Sequence, residues 1–530
     1  MGEITVRAAV FALLREFGLT SVFGNPGSTE LPMFRDFPAD FRYVLGLQES
    51  VVVAMADGFA QASGHAALVN LHSAIGVGHA LGSIFTAYRN QTPLLITAGQ
   101  QARAILPYEP FLYSEQAAQL PKPYVKWSAE PARAADVPAA IARAYYATML
   151  PPRGPAFVSI PVDDWDRPSA PVAARRVSTL VAGDPRLLED AAAALGSAQR
   201  PVLVVGAGIA RDDAWDETIA LAEAHQAAVW VSPMAARNAF PERHRLFAGF
   251  LPADRAGILA RLNGSDLILV LGAPVFTYHV DGEGPHIPPG AQLVQLTDDP
   301  AAAAWCAVGT SIVTHLKLGI AALLGHSQRR APRARPPPIV ASRPNAPLAP
   351  KVPSSAGSLT DAYLLHRIAA LRPEGSIIVE EAPSSRSALH DHLPITERQS
   401  FYTCASGGLG HGLPAAVGVA LATPGRKVIA LLGDGSAMYA IQGLWSAAEL
   451  GVSVAFVIVN NTSYRALEEF GRHFGIARLP GTQLPHLDFC ALAAGHGVAA
   501  IRVERCEELD GALAHVFSAA APMLLDVRVG

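Results

Sequence analysis

The stretches VIALLGDGSAMY and VAFVIVNNTSYRAL each run an apolar strand into small, oxygen-bearing residues. The first sets Asp434 between Gly433 and Gly435; the second ends on Asn460 and Asn461 about two dozen residues later. A carboxylate, the Asn461 amide carbonyl and the backbone at Ser463 form a hard-oxygen set of the kind Mg2+ takes, completed by phosphate oxygens and water. Gly433 and Gly435 let the backbone approach an anion, and a helix opening near Ser436 offers N–H groups to a phosphate. Taken singly, GDG reads as a turn and NN as a helix cap. A strand over 428–432, a helix over about 436–450 and a strand over 454–459 make one right-handed βαβ unit, so both strand ends open on one crevice. Within such a unit the pair points to a metal-bound diphosphate.

The spacing of GDG and NN resembles the motif that binds thiamine diphosphate. That cofactor needs an acid far from its metal. The thiazolium carbon loses a proton to the adjacent 4′-amino group in its imino form, which a carboxyl hydrogen-bonded to pyrimidine N1′ promotes. Glu49 fits, because it follows the apolar strand Tyr43–Leu47 and opens an apolar helix in FRYVLGLQESVVVAMADGFAQASG. Read alone, it is a glutamate complementing a helix dipole.

These residues need sheets to position them. Short apolar strands alternate with helical stretches along most of the chain, and the runs are continuous rather than alternating. That pattern belongs to parallel α/β layers covered on both faces. The fold class is α/β, with three doubly wound parallel-sheet domains over 1–170, 186–324 and 358–530. A Pro-rich, basic linker at 325–357 contains no acidic residue. No aromatic interleaves its arginines, so it reads as an extended spacer rather than a nucleic-acid arm.

Of 530 residues, half are hydrophobic and 16% charged, enough to bury several cores, and a net charge of −4 gives no attraction to nucleic acid or anionic membrane. Residues 6–17 follow helical amphipathic spacing and do not read as a signal peptide, and no run reaches the roughly 20 apolar residues of a membrane span. Four scattered cysteines form no metal spacing. They are expected as reduced thiols in a cytoplasmic protein.

FGNPGSTELPMFRDFP, NLHSAIGVGHALGSIFTAY, TAGQQAR, APVFTYHV and CASGGLGHGLPAAVGVAL, with the two stretches above, resemble the benzoylformate decarboxylase family over nearly the whole chain. The resemblance implies pyrimidine-binding, central and diphosphate-binding domains. It also implies a homotetramer, a dimer of dimers, whose sites lie between subunits. The activity implied is non-oxidative decarboxylation of an aromatic 2-keto acid to an aldehyde and CO2, using thiamine diphosphate with Mg2+ or Ca2+. Glu49, Ser28, His72 and His279 would be catalytic: Ser28 holding the substrate carboxylate, the histidines moving protons. Asn25, Pro26, Glu49, Ser384, Gly407, Leu409, Gly435, Ser436 and Tyr464 would contact the cofactor. Asp434, Asn461 and Ser463 would hold the metal, and Phe111, Leu112, Thr403, Ala466 and Phe470 would wall the substrate pocket.

The pattern departs from the family at three places. Thr403 replaces an aromatic pocket residue, while Thr462 and Arg465 stand where small glycines are usual. Arg465 reads as a solvated arginine at a helix start or as a contact for extra substrate charge. Rival readings keep the fold: an acetolactate synthase-type carboligase, an acyl-CoA lyase or decarboxylase, a scaffold without catalysis, or a structural α/β protein without cofactor. FAD is not expected, because VLVVGAGIARDD has Gly206 and Gly208 but Arg211 where a third glycine would complete a dinucleotide fingerprint.

Overall fold

A computed structural model describes residues 4–327, 350 and 359–530; most of the expected 325–357 linker therefore lies outside the described residues. The strands expected from the continuous apolar runs are present. Val428–Gly433 and Leu94–Gln100 are buried almost without interruption along their lengths, as strands covered on both faces must be. The chain forms two compact units, one of residues 1–177, 351–386 and 406–530, the other of residues 178–350 and 387–405.

The first unit holds two parallel sheets. In the N-terminal sheet the spatial order is Arg42–Leu45, Ser21–Gly24, Ala67–Leu71, Leu94–Gln100, Ala156–Pro161 and Trp127–Ala129. In the C-terminal sheet Ile377–Glu381 is followed by Val428–Gly433, Val454–Asn460, Met523–Arg528 and Ala499–Val503. The two halves meet where the helix Glu49–Ser63 crosses the helix Gly412–Ala422 antiparallel. A Cβ on Gly58 would come within 2.1 Å of the Ala415 carbonyl oxygen, and one on Gly418 within 1.9 Å of the Met55 carbonyl oxygen. Glycine is required at both for so close a crossing. Beside it, Asp57 and His411 are buried and paired at 2.9 Å.

In the second unit six parallel strands order as Phe247–Phe250, Ala228–Val231, Pro201–Val205, Leu267–Leu271, Gln292–Thr297 and Thr310–Val313. Leu203, Val205, Leu269 and Leu271 pack on one face with Leu316, Ile320 and Leu323, while Val202, Val204, Ile268 and Val270 pack on the other with Ile258 and Leu262. Residues 387–405 group with this compact unit. Backbone bonds from Thr403 N–H to Ala236 (2.9 Å) and Glu242 N–H to Ile395 (3.0 Å) hold them there, and the Gln399 amide donates to Ala210 at 2.8 Å.

The helix expected over 436–450 is two short pieces, Asp434–Met438 and Gly443–Leu450. Between them the backbone tightens to bonds spanning three residues, from Gly443 N–H to Ala440 and Leu444 N–H to Ile441.

Candidate active site

Adjacent strands of the N-terminal sheet deliver their ends together. Ser21–Gly24 leads into Asn25, Pro26, Gly27 and Ser28; Arg42–Leu45 leads through Gln48 to Glu49; Ala67–Leu71 leads straight to His72. Carboxyl ends of parallel strands are where open α/β sheets present ligand-binding residues. Asn25 is half-buried, and Pro26 and Ser28 are exposed.

His72 lies directly over Gly27, where a Cβ would come within 2.0 Å of Nδ1. That nitrogen meets Glu30 Oε2 at 2.9 Å and Thr29 Oγ1 at 3.1 Å. Glu30 is itself buried and accepts from Gly99 N–H and Gly27 N–H, each at 3.0 Å. Its carboxylate thus orients the imidazole and leaves Nε2 as the outward nitrogen. The next residue, Ser73, is buried with φ +43°, a left-handed conformation rare for serine and common beside functional side chains. Glu30 escaped the reading of the sequence, where a glutamate three residues after Gly27 looks like an ordinary helix cap.

Glu49 begins its helix, capped by the Gln48 side chain, and is buried at 7% exposure. Its Oε2 meets His79 Nδ1 at 3.1 Å.

The C-terminal sheet repeats the arrangement. Neighbouring strands end in Ala382–Pro383–Ser384, in Asp434 and in Asn461. Asp434 is buried. Its Oδ1 accepts from Gly435 N–H at 2.7 Å, and its Oδ2 has no hydrogen-bond partner among the described residues. Burial pushes this carboxyl above its usual range, against the pull of the Gly435, Thr462 and Ser463 N–H groups, which places the acid beside the 461–463 turn. Asn461 Oδ1 accepts from Ser463 N–H at 3.0 Å, and Thr462 adopts φ +56°, an outlier for a β-branched residue. Bonds from Tyr464 N–H to Thr482 (2.7 Å) and Leu484 N–H to Thr462 (2.8 Å) fix the turn.

An orphaned buried carboxylate oxygen beside an amide and backbone carbonyls fits a hard dication, which would offset the desolvated charge. Gly435 also packs closely on its neighbour: a Cβ there would meet the Tyr464 ring at 2.3 Å. Ser436 is buried, and Ser384 Oγ accepts from Ala466 N–H at 3.1 Å, joining the first and third strand ends.

Arg465 is part-buried at the start of its helix. It is ion-paired with Asp361, which also accepts from Ser385 Oγ at 2.7 Å. Phe470 lies farther along the same helix beside His473 and Phe474.

Gly407, with φ +73°, and Leu409 lie in a loop held from below by Glu381. This buried carboxyl accepts from the N–H groups of Gly410 (2.6 Å), His411 (2.8 Å) and Gly412. Burial nevertheless lifts it to about 7. At the loop's start Ser406 Oγ meets Thr86 Oγ1 at 2.9 Å. Phe111 is 86% exposed on a segment where Leu112 has φ +64°.

In the second unit, Thr403 is buried, and His279 is exposed with its backbone bonded to Ala253 at 2.8 Å. His279 lines a cavity of about 170 Å3 with Arg255 and Tyr278.

Models of the thiamine pyrophosphate enzymes match 4–119 (N-terminal TPP binding domain), 188–323 (central domain) and 383–527 (C-terminal TPP binding domain). A benzoylformate decarboxylase from Pseudomonas aeruginosa is 46% identical, covering 99% of this chain and 98% of that one. The chain belongs to the benzoylformate decarboxylase family of thiamine diphosphate enzymes. A solved thiamine diphosphate-dependent 4-hydroxybenzoylformate decarboxylase from Rhodococcus jostii RHA1 superposes with a TM-score of 0.94 at 41% identity, covering 99% of each chain. A putative acetolactate synthase large subunit from Mycobacterium tuberculosis is 30% identical over 98% of each chain. As a member of the benzoylformate decarboxylase family, the chain is a thiamine diphosphate-dependent 2-keto acid decarboxylase. Among its described residues no helix is long and apolar enough to cross a membrane.

Proposed function

We propose that this enzyme decarboxylates an aromatic 2-keto acid to an aldehyde and CO2, with Mg2+ anchoring the cofactor diphosphate. The observation that carries the reading is the pairing of two sheet edges, one ending in a buried acid and a carboxylate-backed histidine, the other in an orphaned buried carboxylate oxygen. Asp434, Asn461 and the Ser463 carbonyl would hold the metal; Ser384, Ser436 and Tyr464 would line the diphosphate; Gly407 and Leu409 would hold the rings, with Asn25 and Pro26 alongside. Thiamine diphosphate, when bound, supplies the electron sink that lets CO2 leave. Glu49 holds a proton at the pyrimidine nitrogen. Ser28 binds the substrate carboxylate. His72, backed by Glu30, presents Nε2 to give a proton to the carbon that lost CO2, and His279 serves as the second proton carrier.

The site is built between two copies of the chain. Within one copy, Glu49 and the 406–411 loop lie toward opposite ends of the same helices. Glu49 precedes Asp57, the partner of His411, by eight residues, about 12 Å of helix rise. Likewise His79, which touches Glu49, precedes Thr86, which touches Ser406, by seven residues, about 10 Å. One pyrimidine ring is too small to bridge that separation, so Glu49 serves the cofactor of a second subunit. A dimer of such dimers gives the tetramer, placed in the cytoplasm. Exposed Phe111, with Leu112, Ala466 and Phe470, suits an aryl group, and Thr403 leaves that pocket roomier.

FAD is not part of this reading. Gly208 packs against Gly272, where a Cβ would come within 2.6 Å of the neighbouring Cα, and Arg211 pairs with Asp298 at 3.6 Å. These residues serve strand–helix packing. A spectrophotometric screen of aryl and alkyl 2-keto acids with Mg2+ and thiamine diphosphate tests the proposal. Preferred turnover of aryl acids supports it; turnover of alkyl acids alone overturns it.

A further inference from the structure

His79 lies one turn beyond Gly76 on the helix Ser73–Asn90, so the two face the same way. Both face Glu49. A Cβ on Gly76 would come within 3.1 Å of Glu49 Oε1 and 3.3 Å of its Cγ, so glycine leaves the carboxyl room. One turn on, His79 Nδ1 takes the other oxygen, Oε2, at 3.1 Å. The histidine side chain is 52% exposed and the glutamate side chain 9%. An ordinary surface pair of this kind would contribute little. Here the acid is buried, and its two oxygens are divided: one held by imidazole, the other lying over the bare face of Gly76. Among the described residues no second charged side chain is hydrogen-bonded to either partner.

We infer that His79 is a positioning residue for the acid chemistry of Glu49, an inference that rests on the reading of Glu49 as the group facing the cofactor pyrimidine. By holding Oε2, His79 fixes the carboxyl rotamer and presents Oε1 to the ring nitrogen. When the Oε1–H bond breaks and the proton joins that nitrogen, negative charge spreads over both carboxylate oxygens. The Nδ1–H bond to Oε2 then strengthens, because a hydrogen bond to an ionised acceptor is the stronger kind. No proton passes to His79; it stabilises what the transfer leaves behind.

Two variants separate this role from simple packing: His79→Gln keeps a donor, and His79→Leu removes it. The first readout is hydrogen–deuterium exchange at the acidic carbon of bound thiamine diphosphate. Exchange in the Leu variant is expected to slow about tenfold, the scale of one hydrogen bond to a charged group, while the Gln variant recovers most of the rate and cofactor affinity by calorimetry stays unchanged. The second readout needs no cofactor: in nitrogen NMR of the apo protein the His79 Nδ1 resonance is expected to move in Glu49→Gln, as loss of its carboxylate partner requires. Wild-type exchange in the Leu variant, equal slowing in both variants, or an Nδ1 resonance unmoved by Glu49→Gln would overturn the inference. Exchange at the wild-type rate in Glu49→Gln would instead defeat the underlying reading of Glu49.

Discussion

His72 Nδ1 sits 2.9 Å from Oε2 of Glu30, a carboxylate that is 1% exposed and reaches the histidine across 42 residues of sequence. Backbone N–H groups from Gly27 and Gly99 hold the acid in place, so the imidazole is oriented by a fixed partner. Replacing Glu30 with Gln removes the charge and keeps the shape. The loss of one charge-assisted bond, about 1.5–3 kcal/mol, should lower kcat about 10- to 100-fold. KM should change little because Glu30 is buried behind His72. Steady-state kinetics check the split.

Glu49→Gln should abolish most decarboxylation while leaving the fold intact. The glutamine amide still occupies the first turn of a helix capped by Gln48, but it cannot supply a proton. General acid–base contributions of about 10²- to 10⁴-fold set the size of the loss. Turnover and thermal unfolding of the purified variant are the paired measurements; wild-type-like turnover would end the assignment.

The buried Asp57–His411 pair should make stability peak at mildly acidic to neutral pH. Burial pushes Asp57 up, but the charge and hydrogen bond of His411, with Thr92 and Asn90, bring it below 3.8. Burial pushes His411 down, but Asp57 and then Glu381 raise it above 6.5. The aspartate contribution is present above 3.8 and lost as pH falls through its lower folded value. The histidine contribution is complete below 6.5 and lost as pH rises through its higher folded value. Asp57→Asn should therefore cost most inside that window, about 3–5 kcal/mol for breaking a buried pair, and less at either extreme. Thermal unfolding of both proteins across pH gives the comparison.

The parallel sheets and the oxygen-bearing strand ends were legible in the sequence because both are local signals. A run such as VIALLG announces a strand covered on both faces, and Asp434 and Asn461 follow their strands directly. What stayed hidden depends on long-range pairing: Glu30 with His72, His79 with Glu49, Asp57 with His411, and Arg465 with Asp361. No periodicity encodes those contacts. The helix expected at 436–450 breaks because local spacing cannot register the tightened turns around Ala440 and Ile441. Residues 387–405 group with the second unit through backbone bonds to Ala236 and Glu242 that composition does not reveal.

Asp434 predicts a metal requirement that can be read without substrate. With Oδ2 buried and without a hydrogen-bond partner among the described residues, the site should hold thiamine diphosphate only while a divalent ion is present. Dialysis against chelator should release the cofactor, and Mg2+ or Ca2+ should restore its binding in calorimetry. Asp434→Asn should not recover binding at the same metal concentration. Cofactor retained in excess chelator would contradict the metal assignment.

The shared site is tested most directly by co-expressing Glu49→Gln with Asp434→Asn, each inactive alone. In a mixed pair one site receives Glu49 from one copy and Asp434 from the other, both unaltered. Random assembly of two-fold pairs should then restore about a quarter of wild-type activity. Activity no greater than that of the two variants measured separately would show that each chain builds its own site, against the arrangement proposed.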